Sequence, residues 1–240
     1  MLQQEAVVPE MIKLIKELQS SSLFKDHVLA GGTALTLQIG HRTSTDIDLF
    51  TSKKQDALLL TEHFKNNYKN VNIEIADEEF LRVFINKIKV EMVYYDEKIL
   101  EEQKEEEGIR LFSINEIAAM KLKAITGRTE PRDFIDIAYL LKEISFEKMF
   151  KLYKEKFGMI SPLYMKRTLL TKSKTIKNNE WLVGIKMLKH DIKPHDVPIV
   201  IEKELEIYKN IHNDLVQLLN KMKEDINSDF EKALKLYDLK

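Results

Sequence analysis

The sequence predicts an α+β fold, in which a mixed sheet flanked by helices is followed by an all-helical bundle. Short apolar runs rich in β-branched residues lie between residues 27 and 95 and are separated by turn residues, which is typical of strands. From residue 113 onward the apolar residues recur at the spacing of amphipathic helices. We therefore expect two domains, residues 1–145 with the sheet and residues 146–240 with the bundle.

The front half is expected to alternate helices and strands. Pro9–Ser20 predicts a helix, because its apolar residues lie on one helical face and proline is favoured in a first turn. His27–Ala30 predicts a buried strand that stops at a glycine pair, after which Thr33–Ile39 is expected to be helical. The other elements expected here are strands at Asp46–Thr51 and Val71–Ala76, a helix at Lys54–Asn67, and a hairpin of Phe80–Ile85 with Ile88–Tyr95.

The second half of the chain is expected to be helical after an acidic segment. Between Glu97 and Glu107 six glutamates face two lysines, so this segment is expected to be a solvated connection or a helix. Ser113 and Glu116 have the form of a capping box that starts a helix running to about Thr126. The further helices that we expect begin near Thr129 and Pro131 and, beyond Phe146, include Ile199–Asn220 and Asp225–Tyr237.

The composition excludes several classes of protein. The chain has 240 residues, of which 44% are hydrophobic and 32% charged, and no apolar run is long enough to span a membrane. Its first residues include Glu5 and Glu10 and lack the basic start and apolar run of a secretory signal. Cysteine is absent, which excludes disulfides, thiol catalysis and cysteine-ligated zinc. These features indicate an ordered cytoplasmic protein with no membrane partner.

The formal net charge of −1 conceals a basic stretch. Between Lys142 and Lys193 there are 13 Lys and Arg residues against 5 Asp and Glu residues, a local balance of +8 (13 − 5). Such a stretch can be a set of solvated helix faces. It can also be an electrostatic footprint for a polyanionic partner, and it counts as one only if another feature indicates nucleic acid.

A glycine pair and two aspartates lie close together in the sequence. Gly31 and Gly32 end a predicted strand before a helix, where glycine lets the backbone approach a phosphate and the helix N-terminus favours an anion. Asp46 and Asp48 are two apart on a predicted strand, so their side chains project from the same face. Adjacent carboxylates repel one another unless a cation neutralises them, and Mg²⁺ or Mn²⁺ suits oxygen ligands. Each pattern alone is also compatible with an ordinary turn and a solvated strand.

A third carboxylate, Glu91, lies in the second arm of the predicted hairpin. On a strand beside Asp46–Phe50 it would face the same cleft, although the pairing register does not follow from the sequence. Metal ions held by Asp46, Asp48 and Glu91 would lower the pKa of an attacking hydroxyl and stabilise a departing pyrophosphate.

These residues resemble the signature of the DNA-polymerase-β-type nucleotidyltransferase superfamily, a Gly-Gly or Gly-Ser pair followed by Asp-x-Asp or Asp-x-Glu and a later carboxylate. More narrowly, the chain is similar to the AbiEii/AbiGii abortive-infection toxin family. The residues that carry this resemblance are Gly31-Gly32-Thr33-Ala34-Leu35 and Arg42, Ser44, Asp46-Ile47-Asp48-Leu49-Phe50, followed by Lys121-Leu122-x-Ala124, Arg128, Arg132-Asp133 and Asp136. The resemblance covers residues 25–142. Glu91 departs from it mildly, because the third carboxylate of the family is commonly Asp.

The resemblance implies a nucleotidyltransferase sheet, a catalytic Lys121 and a set of nucleotide-binding residues. That set is Gly31, Gly32, Thr33, Arg42, Ser44, Arg128, Arg132, Asp133 and Asp136. From the residues alone, Lys121 borders an apolar stripe, so it can reach into a cleft to neutralise a phosphate or snorkel to the surface.

The roles of the other polar residues stay open at this point. Arg42 and Ser44 can contact a triphosphate or serve only the loop that they lie in. Arg132 and Asp136 are four apart and can form an intrahelical pair, and Asp133 suits the dipole of the first helical turn.

The expected function is metal-dependent transfer of a nucleoside monophosphate from an NTP to an acceptor hydroxyl. The resemblance implies an RNA acceptor such as a tRNA end, growth arrest as the outcome and an antitoxin protein as a partner, with the basic stretch at residues 142–193 holding the RNA. Two alternatives remain open. One is the same reaction with a small-molecule or protein acceptor, and the other is a non-catalytic interaction protein that retains a nucleotide pocket.

Overall fold

The structure, a computed structural model, describes residues 1–207 and residues 220, 222, 223 and 226. Within this part of the chain no helix is long and apolar enough to cross a membrane. Residues 197–207 are helical, so the helix expected at Ile199–Asn220 begins two residues earlier than predicted. Most of its remainder, and nearly all of the helix expected at Asp225–Tyr237, lies outside the described residues.

The expected fold class, a mixed sheet with flanking helices followed by helices, is confirmed. The strands are β1 (Val28–Leu29), β2 (Asp46–Thr51), β3 (Val71–Ala76), β4 (Phe80–Ile85), β5 (Ile88–Tyr94), β6 (Lys104–Glu106) and β7 (Ile109–Leu111). The helices are α1 (Pro9–Ser20), α2 (Gly31–Ile39), α3 (Ala57–Asn67), α4 (Ile114–Gly127), α5 (Pro131–Glu143), α6 (Phe146–Phe157) and α7 (Pro162–Thr175). The strand order is β3-β4-β5-β2-β1-β7-β6. β2 pairs with β5 and β1 with β7 in parallel, and the other neighbours are antiparallel.

Two helices begin where local geometry places them rather than where the sequence pattern predicts. α2 starts at Gly31, two residues early, because Gly31 adopts a left-handed backbone (φ +66°) that turns the chain directly from β1 into the helix. α3 starts at Ala57, three residues late. The Asp56 carboxylate accepts a hydrogen bond from the Leu59 amide (3.0 Å) and so caps the helix at that point.

The acidic segment after β5 ends in a β-hairpin, so the expectation of a solvated connection or a helix is wrong for its second part. β6 and β7 pair at the edge of the sheet. Their turn contains Glu107 and Gly108, both at positive φ (52° and 78°), a geometry that glycine adopts readily. Glu107 also accepts a hydrogen bond from the Leu2 amide (2.9 Å), which attaches the hairpin to the N-terminal segment.

The alternation of side chains along β2 and β5 separates the core from the functional face. Ile47, Leu49, Val90 and Met92 are fully buried, and burial of a side chain of this size contributes about 1.5–3 kcal/mol. The residues between them are polar and only partly buried. Because alternate side chains of a strand point to opposite faces, packing of the core fixes the direction of the polar set.

The start of α4 confirms the predicted cap but not the whole capping box. Ser113 Oγ accepts a hydrogen bond from the Glu116 amide (3.1 Å). The Glu116 carboxylate is buried, where it accepts a hydrogen bond from the Leu100 amide (2.9 Å) and pairs with the buried Lys156. These contacts attach α6 and the segment after β5 to α4.

The helical back half packs onto the front half. α4 packs against α5, α6 and α7. The segment at residues 185–189 runs beside the loop before β2: Lys186 O accepts a hydrogen bond from the Thr43 amide (2.8 Å), and His41 O accepts one from the Leu188 amide (3.0 Å). The domain division at residue 145 stays a prediction, and these contacts join its two sides.

Candidate active site

Asp46, Asp48 and Glu91 lie on one face of the sheet and line a cleft of about 240 Å³, which we call the acidic cleft. The parallel pairing of β2 with β5 explains this, because it places Asp48 beside Glu91 and Asp46 beside Lys89. The register that the sequence left open therefore brings the third carboxylate to the two aspartates. The other predicted site residues that line the acidic cleft are Gly32, Arg42, Ser44, Lys121, Arg128, Arg132 and Asp133.

Five carboxylates and five cations line the acidic cleft, and negative charge is concentrated where Asp46, Asp48 and Glu91 lie together. Burial, followed by repulsion from Glu91 and Asp46, raises the pKa of Asp48 to about 6. A bound cation stabilises a carboxylate cluster of this kind, and carboxylate oxygens are the hard donors that Mg²⁺ and Mn²⁺ take. The donor set therefore fits a divalent metal ion.

Cationic side chains neutralise part of this charge. Lys89 Nζ lies 3.3 Å from Asp46 Oδ2 and 3.5 Å from Glu91 Oε1, and Arg132 Nη1 lies 3.6 Å from Asp46 Oδ2. Arg82 Nε donates a hydrogen bond to Glu91 Oε1 (2.7 Å). With two of the carboxylates held in this way, no group of three or more acidic or imidazole side chains among the described residues has metal-binding geometry as it stands.

Gly31 and Gly32 bring the N-terminus of α2 against the carboxylates. A Cβ on Gly31 would lie 2.2 Å from Asp48 Oδ2, and a Cβ on Gly32 would lie 2.6 Å from an Arg42 guanidinium nitrogen. A residue with a side chain fits at neither position unless these groups move. The first amides of a helix have no intrahelical acceptor, so α2 offers an anion-binding N-terminus beside the acidic cleft.

Thr33 and Ser44 shape the loop that enters β2. Thr33 Oγ1 lies 2.8 Å from Ser44 Oγ and donates a hydrogen bond to the carbonyl of Asp46. Thr33 is fully buried, so its hydroxyl faces the loop, whereas Ser44 faces the acidic cleft.

Behind the acidic cleft, three side chains surround the buried carboxylate of Asp136. Arg42 donates two hydrogen bonds to it, from Nε to Oδ1 (2.6 Å) and from Nη2 to Oδ2 (2.8 Å). His41 Nε2 (2.7 Å) and Lys121 Nζ (2.5 Å) also contact it. Burial opposes the ionisation of Asp136, but Arg42 and Lys121 outweigh burial and hold its pKa well below the usual range. The spacing of four residues suggested that Arg132 would pair with Asp136. Arg132 pairs with Asp46 instead.

Lys121 connects this buried network to the acidic cleft. Its Nζ also lies 2.8 Å from Asp133 Oδ1, and only 6% of the residue is exposed, so it does not snorkel to the surface. Burial lowers the pKa of Lys121, but Asp136 and Asp133 outweigh burial and leave the pKa above its ordinary value. Arg128 Nε donates a hydrogen bond to Asp133 Oδ2 (2.7 Å). Lys121 is therefore a charged ammonium at the edge of the acidic cleft.

Two larger cavities open beside the acidic cleft, and the sequence indicated neither. The apolar cavity, of about 480 Å³, extends from Asp48 to the aromatic side chains of Tyr95 and Phe157. The hairpin cleft, of about 780 Å³, extends from Asp46 to the turn between β4 and β5, the start of α5 and residues 175–184. Cavities of this size suit nucleotide-sized ligands.

Lys89 also lines the acidic cleft, and strand alternation could have predicted it although the motifs did not include it. It is two residues before Glu91 on a strand, so period-two alternation places both side chains on one face. No local sequence pattern indicated Phe157 as a site residue, because it lies on α6 and reaches the apolar cavity only through the packing of that helix.

Several lysines of the basic stretch form ion pairs or hydrogen bonds with other groups of the protein. Lys142 and Lys174 pair with carboxylates at the surface, and Lys156 pairs with one in the core. Lys172 donates a hydrogen bond to the carbonyl of Ile125 (2.7 Å) at the C-terminal end of α4. The charge that an external polyanion would meet is therefore smaller than the +8 counted from the sequence.

Comparisons with known proteins agree with this geometry. The family model described as nucleotidyl transferase AbiEii toxin, type IV toxin–antitoxin system, matches residues 13–236. A relative, the uncharacterized protein aq_aa25 of Aquifex aeolicus strain VF5, is 29% identical over 157 residues, which are 63% of this chain and 76% of the relative.

Solved structures share the fold at lower identity. JHP933 from Helicobacter pylori is 21% identical with a TM-score of 0.56, covering 89% of this chain and 94% of that one. MenT4, the nucleotidyltransferase toxin Rv2826c from Mycobacterium tuberculosis H37Rv, is 15% identical with a TM-score of 0.51, covering 81% of this chain and 80% of that one. Because the family match spans nearly the whole chain, the protein belongs to the AbiEii family of toxin nucleotidyltransferases.

Proposed function

We propose that this nucleotidyltransferase moves a nucleoside monophosphate from an NTP to a hydroxyl of an RNA acceptor such as a tRNA end. The observation that carries the proposal is the convergence of Asp46, Asp48 and Glu91 in one cleft beside the N-terminus of α2. The type IV toxin–antitoxin family supports a toxin role, with an antitoxin protein as the partner that counters it.

Asp46, Asp48 and Glu91 would hold Mg²⁺ or Mn²⁺, and the ion would take over part of the neutralisation that the paired cations provide. Such an ion, when bound, lowers the pKa of an attacking hydroxyl and neutralises charge on the phosphates. The steric fit supports this placement, since Gly31 leaves the space for the Asp48 carboxylate that any Cβ would occupy.

The NTP fits with its triphosphate at the start of α2 and its base in the apolar cavity. Gly31 and Gly32 present backbone amides to the phosphates. Lys121 and Arg128 line both the acidic cleft and the apolar cavity, where their charges neutralise phosphate oxygens. Phe157 offers an aromatic face to the base.

The remaining predicted residues divide into two groups in this proposal. Ser44 and Arg132 face the acidic cleft, where Ser44 contacts the triphosphate and Arg132 contacts a phosphate of the nucleotide or of the acceptor. The others serve nucleotide binding indirectly, by holding the loop and the neighbouring cations in place: Thr33, Arg42, Asp133 and Asp136.

In the reaction, the oxygen of the acceptor hydroxyl attacks the α-phosphorus in line. A new P–O bond forms, the bond from the α-phosphorus to the bridging oxygen breaks, and pyrophosphate leaves with both bonding electrons. The hydroxyl proton passes to a carboxylate of the acidic cleft. Lys121 and Arg128 neutralise the charge that develops on the pyrophosphate.

Exposed cations of the basic stretch support an RNA acceptor. Lys151, Arg167 and Lys177 are exposed on the helical back half. Binding of a polyanion by such side chains releases counterions, so an RNA acceptor predicts label transfer that falls steeply as ionic strength rises. Transfer to a small neutral acceptor would not show this dependence.

The proposal is tested by incubating the protein with each labelled NTP, Mg²⁺ or Mn²⁺, and total tRNA. We expect label on RNA from one or more NTPs, and none from an Asp46→Ala, Asp48→Ala double variant. Glu62→Gln, which changes an exposed carboxylate of α3, is the matched control and is expected to retain full transfer. The absence of label with every NTP, together with full cellular toxicity of the double variant, would refute the proposal.

A further inference from the structure

Lys89 and Arg132 belong to two sites at once. Both side chains line the acidic cleft and the hairpin cleft. Both are paired with the same carboxylate oxygen, Asp46 Oδ2, at 3.3 Å from Lys89 Nζ and 3.6 Å from Arg132 Nη1. A cation that binds Asp46 from the acidic cleft therefore weakens the attraction of this carboxylate for both Lys89 and Arg132.

The hairpin cleft is electrically balanced while these pairs hold. Its charged lining consists of three cations and three carboxylates, namely Lys87, Lys89 and Arg132 with Asp46, Glu130 and Glu180. Glu180 is engaged locally, since its Oε2 accepts a hydrogen bond from the Lys177 amide (2.9 Å). A divalent ion on Asp46 would remove one negative charge from this balance and leave the hairpin cleft positive.

We propose that the hairpin cleft binds the phosphate backbone of a single-stranded nucleic-acid acceptor, and that Lys89 and Arg132 couple this binding to metal occupation of the acidic cleft. This inference rests on the function proposed above. A metal ion on Asp46 would weaken the pairs of this carboxylate with both cations, and the ammonium and guanidinium groups would then be available to acceptor phosphates.

The walls of the hairpin cleft suit a single strand rather than a duplex. Apolar side chains of Phe84, Ile176 and Val183 lie among the cations, and Val183 is 72% exposed. An unpaired base can stack on the Phe84 ring and contact the aliphatic side chains beside it, while lysine and arginine contact the backbone. The cleft also ends at Asp46, so a strand that lies in it delivers its terminal hydroxyl to the acidic cleft.

Coupling of this kind has to be reciprocal. If the metal ion raises the affinity for the acceptor by some factor, the acceptor raises the affinity for the metal ion by the same factor. Removal of one cation weakens the competition for Asp46, and removal of both ends it. Without either cation, the metal ion binds more tightly and no longer affects the acceptor.

The experiment measures Mn²⁺ affinity by titration calorimetry, and the affinity for a short fluorescein-labelled single-stranded RNA by anisotropy, at constant ionic strength. For the wild-type protein we expect RNA affinity to rise about two- to fivefold at saturating Mn²⁺, the range of a partly exposed ion pair. In the Lys89→Met, Arg132→Met double variant, we expect Mn²⁺ affinity to rise by about the same factor and the effect of Mn²⁺ on RNA affinity to disappear. Each single variant is expected to show part of both changes.

Lys87→Met is the matched control, because Lys87 lines the hairpin cleft without belonging to the acidic cleft. It is expected to weaken RNA binding, to leave Mn²⁺ affinity unchanged and to keep the coupling. Unaltered Mn²⁺ affinity in both Lys89→Met and Arg132→Met, or RNA affinity of the wild type that is indifferent to Mn²⁺, would overturn the inference. Label transfer by a protein with either result would leave the proposed function standing and remove only the coupling.

Discussion

Replacing Gly31 with alanine tests whether the start of α2 positions the carboxylates that we propose to be catalytic. Gly31 has a φ of +66°, and a Cβ there would lie 2.2 Å from Asp48 Oδ2. Since real Cβ contacts stay beyond 3.0 Å, the carboxylate would have to retreat by at least 0.8 Å (3.0 − 2.2). A displacement of about 1 Å at a reacting centre can lower the rate by about 100-fold.

The same substitution also strains the backbone, so a control has to separate the two effects. Gly108 has a φ of +78°, and a Cβ there would meet nothing within 4 Å. A left-handed alanine costs about 1–2 kcal/mol, which in a chain of this size lowers Tm by about 2–8 °C. We expect both Gly31→Ala and Gly108→Ala to show this loss in thermal unfolding.

Only Gly31→Ala should lose function. We expect its nucleotidyl transfer to fall by about 100-fold and its Mn²⁺ affinity to weaken, whereas Gly108→Ala keeps wild-type values for both. If Gly31→Ala transfers nucleotide at the wild-type rate, Asp48 is not the group that the glycine accommodates, and the reasoning from the contact distance is wrong.

Three further predictions concern the buried network, pH and the apolar cavity. Asp136→Asn leaves Arg42 and Lys121 without their buried counter-charge and should lower the unfolding free energy in urea by about 3–5 kcal/mol; a loss below about 1 kcal/mol would contradict the network. Burial lowers the pKa of His27 below its ordinary value. As pH falls, the unfolded chain therefore protonates His27 before the folded protein does. The contribution of the neutral His27 to the unfolding free energy is complete above about pH 6.5 and is lost as pH falls through the folded pKa. The unfolding free energy should decline below about pH 6.5, and His27→Gln should decline less steeply; identical slopes would exclude His27 as a source. Phe157→Ala should raise the KM for the NTP by about tenfold through lost base contact, measured at a temperature where the variant is folded, and an unchanged KM would place the base elsewhere.

The sequence predicted the sheet face that carries the acids because strand alternation is a local property. Ile47 and Val90 have to be buried, and this alone directs Asp48 and Glu91 to the other face of their strands. The parallel register that sets those two acids side by side depends on β4 and on the helix and strand between them, and local periodicity contains no such information.

The network behind the cleft was beyond sequence reasoning for a different reason. Arg132 and Asp136 have ideal spacing for an intrahelical pair, whereas Arg42 and Asp136 are 94 residues apart. Burial decides between them, because a carboxylate removed from water needs a fully desolvated partner, and Arg42 is only 2% exposed. Arg132 lies nearer the surface and is left for Asp46.

The extended segment at residues 185–189 connects the helical back half to the loop before β2 in the front half. It forms an isolated β-bridge between Met187 and Arg42, and it hydrogen-bonds to both sides of that arginine in the chain. A fragment that stops at residue 145 would lose the pairing with residues 185–189, and the loop that leads into β2 would be free to move. Truncation studies should therefore keep the two halves together, since residues 185–189 pair with the loop that leads into the strand of the two aspartates.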